Sequence, residues 1–262
     1  MATIATDLAM ALDPARLAEA AGIIPDPWQR EVLRSTSKRT ILNVSRQAGK
    51  STMSAVVAVH TVLFQPGALV LLLSPSLRQS SELFKKALTI YRDLGRPVPA
   101  EAESALTLLL ENGSRLVSLP GTEGTVRGYS AARLIIEDEA SRAPDDLYRS
   151  VRPMLAVSDG RLILMSTPWG KRGHFFEEWT NGGPAWERVE VPASQCPRIP
   201  AVFLAEERRA LGPWFYRQEY ECQFSDTTDQ LFSHEVVMAA ITSEVKPLFG
   251  GKLTWDIETA PR

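Results

Sequence analysis

The feature that most restricts the fold is an alternation of short apolar runs with amphipathic stretches between residues 39 and 191. Residues 40–44 (TILNV) read as a buried strand, SRQAG as a polar turn, and 50–64 as a helix rich in Ala, Val and Met. Pro66-Gly67 ends that helix. Residues 68–73 (ALVLLL) form a second strand, and Ser74-Pro75 starts a helix with Leu77, Leu83, Phe84, Ala87, Leu88 and Tyr91 on its apolar face. Runs 106–110 and 115–119 flank Asn112-Gly113, a pair that supplies the positive φ values of a tight hairpin. Strand and helix then alternate again: strands at 133–136, 161–165 and 186–191, helices at 145–155 and 173–179. Such alternation predicts an α/β fold, a mainly parallel sheet with helices on both faces.

Two helices, opened by Asp13-Pro14 and Asp26-Pro27, precede the first strand, each with a carboxylate cap and proline at the first helical position. After Pro192 the pattern is helical only, over 201–211, 213–223 and 233–240, with a linker at 247–251 and one more strand at 252–257. This divides the chain into a core over 1–195, a helical appendage over 196–245 and a terminal stretch over 246–262.

Composition removes several function classes. Lys plus Arg is 29 against 31 Asp plus Glu, so no global positive field draws in polyanions and any nucleic-acid contact must be a local basic face. The cysteines, Cys196 and Cys222, are too few for a disulfide framework, and a reduced, cytoplasmic protein is expected. The early chain lacks the pattern of a secretory leader. The longest apolar runs fall far short of the roughly 20 residues a membrane helix needs, so no membrane association is expected.

Strand, SRQAGKST, helix is the context in which a Gly-Lys-Ser triplet points to nucleotide. Backbone N–H groups of Gln47, Ala48, Gly49, Lys50 and Ser51 can wrap anionic oxygens at a helix N-terminus. Lys50 would place a cation on the β- and γ-phosphates of ATP, and the Ser51 hydroxyl would ligate Mg²⁺; Ser45 and Thr52 flank the loop. The general pattern asks for Gly at position 44, where this chain has Val.

A second site supports the first. Leu134-Ile135-Ile136-Glu137-Asp138-Glu139 is an apolar strand ending in three carboxylates, which repel one another unless a cation or solvent compensates. Asp138 would hold Mg²⁺ through water and Glu139 would orient and deprotonate the attacking water. Glu137-Asp138 is the alternative pair; the later one is preferred because Asp-Glu-Ala leads straight into the next turn. Residues 162–165 end in Ser166-Thr167-Pro168, which puts hydroxyls at the same sheet edge, where they can sense a γ-phosphate.

SRQAGKS, SPSLRQSSELFKK, NGSRLVSLPG followed by VRGY, LIIEDEA, LMSTP and FYRQEYECQFSD together resemble the large terminase subunit of tailed bacteriophages, from about Trp28 to Phe232. That family's loop often lacks the first Gly and carries an Arg two residues before the Ala or Leu preceding Gly-Lys, so Val44 ceases to be an objection. The resemblance implies a P-loop NTPase fold of the ASCE, RecA-like kind, and an ATPase that drives double-stranded DNA into a procapsid. It implies adenine-side roles for Trp28 and Gln29, a γ-phosphate contact for Arg46, an arginine at Arg127 offered to a neighbouring subunit, a coupling motif at Ser166 and Thr167, and a lid over about 197–244. The partners it implies are the portal protein, the small terminase subunit and further copies of the chain in a ring. Lys171, Arg172, Arg208, Arg209 and Arg217 are candidates for a DNA-facing surface. The family continues into an RNase H-like nuclease. Here Asp256 would be its first carboxylate, and six following residues cannot complete a two-metal site, so no nuclease activity is expected. The rival expectations are another nucleic-acid ATPase of this fold, such as a helicase, and a nucleotide-dependent interaction module that does not hydrolyse.

Overall fold

A computed structural model describes residues 4–121, 123–126, 128–225, 236 and 239–240. Three helices, α1 (Ile4–Leu12), α2 (Pro14–Ala20) and α3 (Pro27–Arg34), precede β1 (Arg39–Val44). The sequence signals foretold two. α1 buries none of its residues: its apolar side chains Ile4, Leu8 and Leu12 are exposed, and it has none of the capping cues that mark the next pair. α4 (Lys50–Phe64), β2 (Leu69–Ser74) and α5 (Leu77–Asp93) follow as expected. β3 (Ala100–Glu103) was unforeseen, because AEAE is exposed over three of its four residues and carries no hydrophobic signal. It pairs antiparallel with β4 (Thr107–Leu110), which turns through Gly113 at φ 80° into β5 (Arg115–Pro120).

The short α6 (Glu123–Val126) leads to β6 (Leu134–Asp138). The helix expected over 145–155 is α7 (Asp145–Val151) followed by a 3-10 turn, Arg152–Leu155. Pro153 has no N–H to continue the α-helical bonding, which explains the change. β7 (Arg161–Ser166), α8 (Gly173–Asn181), β8 (Glu187–Val191) and α9 (Ala201–Tyr220) follow among the described residues. α9 joins the two helices expected at 201–211 and 213–223 across a kink at Gly212, which is non-helical at φ 73° and ψ 165°. The strand expected at 252–257, with Asp256, lies outside the described residues, as does most of the helix expected at 233–240.

Eight strands form one sheet in the order β3-β4-β5-β2-β6-β7-β1-β8, parallel except at the β3-β4-β5 end. β7 therefore lies between β1, which feeds the glycine-bearing loop, and the acidic strand β6. Alternate strand residues feed two apolar layers. Leu42, Val44, Leu134, Ile136, Ile163 and Met165 pack with α2 to α5. Ile41, Ile135, Leu162 and Leu164 pack with α7 and α8. Residues 1–225 form one compact unit and residues 226–262 are grouped separately. Within the first, Ala193, Tyr216 and Tyr220 make a small apolar cluster with Ile199 and Leu204, at the base of α9.

Candidate nucleotide site

The C-terminal ends of β1, β6 and β7 meet at one rim, as parallel topology requires of strands that share a direction. The loop after β1 is set by two left-handed residues, Gln47 at φ 61° and Gly49 at φ 93°. Gly49 is also crowded: a Cβ there would stand 2.6 Å from Gln29 Nε2 and 2.9 Å from Arg198 Nη2. Gln29 donates to the carbonyls of Ala48 and Gly49 at 3.4 Å, while its own Oε1 accepts from the Asp26 backbone N–H in a capping box for α3. Arg198 Nη2 donates to the Ala48 carbonyl at 2.8 Å and pairs with Asp26. The loop is thus held from behind by two side chains distant in sequence.

In front of it, Lys50 Nζ lies 3.2 Å from Glu139 Oε1, with the two side chains only 12% and 20% exposed. Glu139 stands at φ 56° just past β6, so the chain turns sharply where the carboxylate is presented. Strand alternation separates the other two acids. Asp138 falls on the layer shared with α4, and Glu137 on the layer shared with α7 and α8. Burial pushes the Asp138 carboxyl up to about 6; Lys50 opposes the rise and Glu139 adds to it. Glu137 is fully buried and bonds His174 instead. Both layers of β6 are apolar, so no sequence pattern distinguished the two pairs of carboxylates.

A cavity of about 690 Å³ opens over the loop, bordered by Ile23, Gln29, Arg46, Lys50, Glu139 and Arg198, with Gln47, Gly49, Ser51 and Thr52 also in its wall. A second cleft of about 470 Å³ shares Ser51, Gln79, Lys86 and Glu139 with it and reaches Asp138. Among the described residues no group of three or more His, Cys, Asp or Glu can hold a metal unaided. The donor set near Ser51 and Asp138 suits a hard cation that keeps phosphate oxygens and water as its other ligands, the habit of Mg²⁺.

The remaining expected residues are distributed unevenly. Trp28 is packed in the apolar core, whereas its neighbour Gln29 lines the cavity. Ser45 is buried beneath the loop; its N–H bonds Val191, and its hydroxyl has no partner among the described residues. Arg46 lines the cavity but its guanidinium pairs with Glu219 of α9, which also faces Arg142 at 3.7 Å. Ser166 is buried and within 3.4 Å of Glu139 Oε2 and 2.7 Å of Ser141 Oγ; Ser141 in turn donates to the Thr167 carbonyl. Arg127 lies outside the described residues. Arg172, Arg209 and Arg217 are exposed; Arg208 faces Glu221 at 3.7 Å and the Tyr216 ring. Four cavity-lining residues had no role assigned from the sequence: Gln79 and Lys86, which sit within SPSLRQSSELFKK, and Arg142 and Arg198, which belong to no local motif and reach the cavity only through the fold.

A glycine-bearing loop between strand and helix, at the rim of a sheet whose loop strand and acidic strand are separated by one further strand, defines a P-loop NTPase fold of the ASCE type. The sequence profile of the family described as "Terminase large subunit, T4likevirus-type, N-terminal" matches residues 41–236. The chain belongs to that family. It is 27% identical over 250 residues to the terminase large subunit of Thermus virus P23-45, covering 82% of this chain and 52% of that protein, so it spans about half the relative's length. The large terminase ATPase domain of Thermus phage P74-26 shares the fold with a TM-score of 0.70 at 23% identity, over 79% of this chain and 97% of the other. The large terminase of a thermophilic bacteriophage in complex with ADP does so at 0.60 and 12%, over 79% and 52%. Among the described residues no helix is long and apolar enough to cross a membrane.

Proposed function

We propose that this chain is the ATP-hydrolysing motor portion of a large terminase, which drives double-stranded DNA into a procapsid. The observation that carries the reading is the 3.2 Å approach of Lys50 to Glu139, with Asp138 adjacent, at the mouth of the loop. An ammonium and a carboxylate that meet where a triphosphate would sit can exchange partners when it arrives. Lys50 turns to the phosphate oxygens and Glu139 is released to hold and deprotonate the attacking water. Ser51 and Asp138 would hold Mg²⁺, which when bound supplies neutralisation of charge on the phosphate oxygens. Arg46, once it leaves Glu219, adds a planar cation at the same place. Ser166, in contact with both Glu139 and Ser141, feels the loss of the terminal phosphate and passes it to the segment after β7. Complexes of a related fold with ADP and with ATP-gamma-S support nucleotide as the ligand. In the working motor the chain acts as one member of a ring docked on the portal, with the small subunit delivering DNA and Arg127 completing a neighbour's site.

Phosphate release and nucleotide affinity by wild type, Lys50→Ala and Glu139→Ala test this. Lys50→Ala is expected to lose nucleotide binding. Glu139→Ala is expected to keep it while turnover falls by about 100-fold or more, the scale of a lost general base. Equal turnover in all three would leave only a nucleotide-binding module.

A further inference from the structure

Glu137 takes no part in the chemistry above, yet it is the most completely enclosed acid of the strand that delivers Asp138 and Glu139, at 0% exposure. Taking a carboxylate out of water costs several kcal/mol unless a partner compensates. The partner is His174, in the first turn of α8. Its Nε2 lies 3.1 Å from Glu137 Oε1 and its Nδ1 3.2 Å from Asp145 Oδ1, at the start of α7. The His174 backbone N–H donates to the same Asp145 oxygen at 2.7 Å. The ring lies flat on Tyr148, 4.7 Å between centroids and 8° between planes, and Tyr148 in turn donates to Glu178 at 2.6 Å. Carboxylates accept, so an imidazole that serves one on each side donates from both nitrogens and is cationic. Burial pushes the ring's proton affinity down, but the bonds to Glu137 and Asp145 outweigh it and the net shift is upward.

Of the three elements joined in this way, β6, α7 and α8, two are those whose relative position matters to the proposed hydrolysis. One is the end of β6, where the chain turns into Glu139. The other is the start of α8, reached through residues 167–172 from Ser166. Resting on the hydrolytic reading above, we propose that His174 is a positioning residue: through Glu137 it fixes the end of β6 so that Glu139 stands in register with Ser166 and the phosphate loop. Hydrogen-bond partners one step removed from a metal change affinity or activity by about 10- to 100-fold when mutated, and a loss at the lower end of that range is expected here. His174 touches neither cavity wall, so nucleotide affinity is not its concern.

The test is kcat and the Kd for MgATP, measured separately on the full chain, for wild type, His174→Ala, His174→Gln and Tyr148→Phe. His174→Ala is expected to lower kcat about 10-fold with Kd within about twofold of wild type. His174→Gln keeps a donor for Glu137 without the charge and recovers part of the rate. Tyr148→Phe loses the bond to Glu178 and serves as the stability control, with kcat unchanged. Should His174→Ala fail to fold, His174→Gln decides alone. A wild-type kcat in a folded His174 variant, or a loss of rate matched by Tyr148→Phe at equal melting temperature, overturns the proposal. Absence of Glu139-dependent turnover in wild type would overturn the hydrolytic reading itself, and is read from the wild-type and Glu139→Ala pair before any His174 variant is considered.

Discussion

Asp138 shows at the level of one side chain how the site is held ready. The fold keeps this carboxyl buried beside Lys50, with the Glu139 backbone N–H donating to it at 3.0 Å and its proton affinity raised to about 6 from the ordinary 3.8. A carboxyl that holds its proton more tightly in the folded than in the unfolded chain favours folding least when ionised. Its unfavourable contribution is absent below about pH 4, grows as pH rises toward 6, and is complete above that. At roughly 1.4 kcal/mol per pKa unit this amounts to something on the order of 2–3 kcal/mol. Asp138→Asn is therefore expected to raise the urea midpoint near pH 8 in EDTA and to leave it unchanged near pH 4. An equal shift at both pH values would mean that the carboxyl is not strained by burial. The same variant should weaken Mg²⁺-dependent nucleotide binding, since the carboxylate whose ionised form burial disfavours is the one a cation would compensate.

At the level of elements, α3 acts on the phosphate loop from behind. Gln29 closes the capping box of α3 and also donates to the Ala48 and Gly49 carbonyls, so one amide joins a helix start to the loop. Gln29→Ala is expected to cost about 1 kcal/mol from the lost cap. It should also lower nucleotide affinity through a looser loop, both read from thermal melts with and without MgATP. A stability loss with ligand-induced stabilisation intact would confine Gln29 to the helix. Much of this level was legible in the residues: Asp26-Pro27 marks the start of α3, Gly49-Lys50-Ser51 the start of α4, and apolar runs the parallel strands. Where both faces of a strand are covered, as for β6, pattern is silent about which side each carboxylate takes, and only packing against α4 or α8 decides. β3 escaped because its pairing with β4 needs no apolar face. Arg142 and Arg198 escaped because a lone arginine in a loop has no spacing to reveal it.

For the whole molecule, the sheet order does the essential work. Placing β7 between β1 and β6 brings residues 46–52, 138–139 and 166 to one rim, while α3 and the segment before α9 close the cavity from the side. The near-balance of charge, 29 basic against 31 acidic residues, gives no global positive field, so the proposed contact with DNA falls to local surfaces. In the proposed site Lys50, Ser51, Asp138 and Glu139 serve a single magnesium-bound triphosphate. A crystal structure of the chain with Mg²⁺ and a non-hydrolysable ATP analogue tests it most directly. The expected result has the terminal phosphate between Lys50 and Glu139 with their direct contact broken, and the metal beside Ser51 and Asp138. A nucleotide seated elsewhere, or one bound with the Lys50–Glu139 pair intact, would contradict the account.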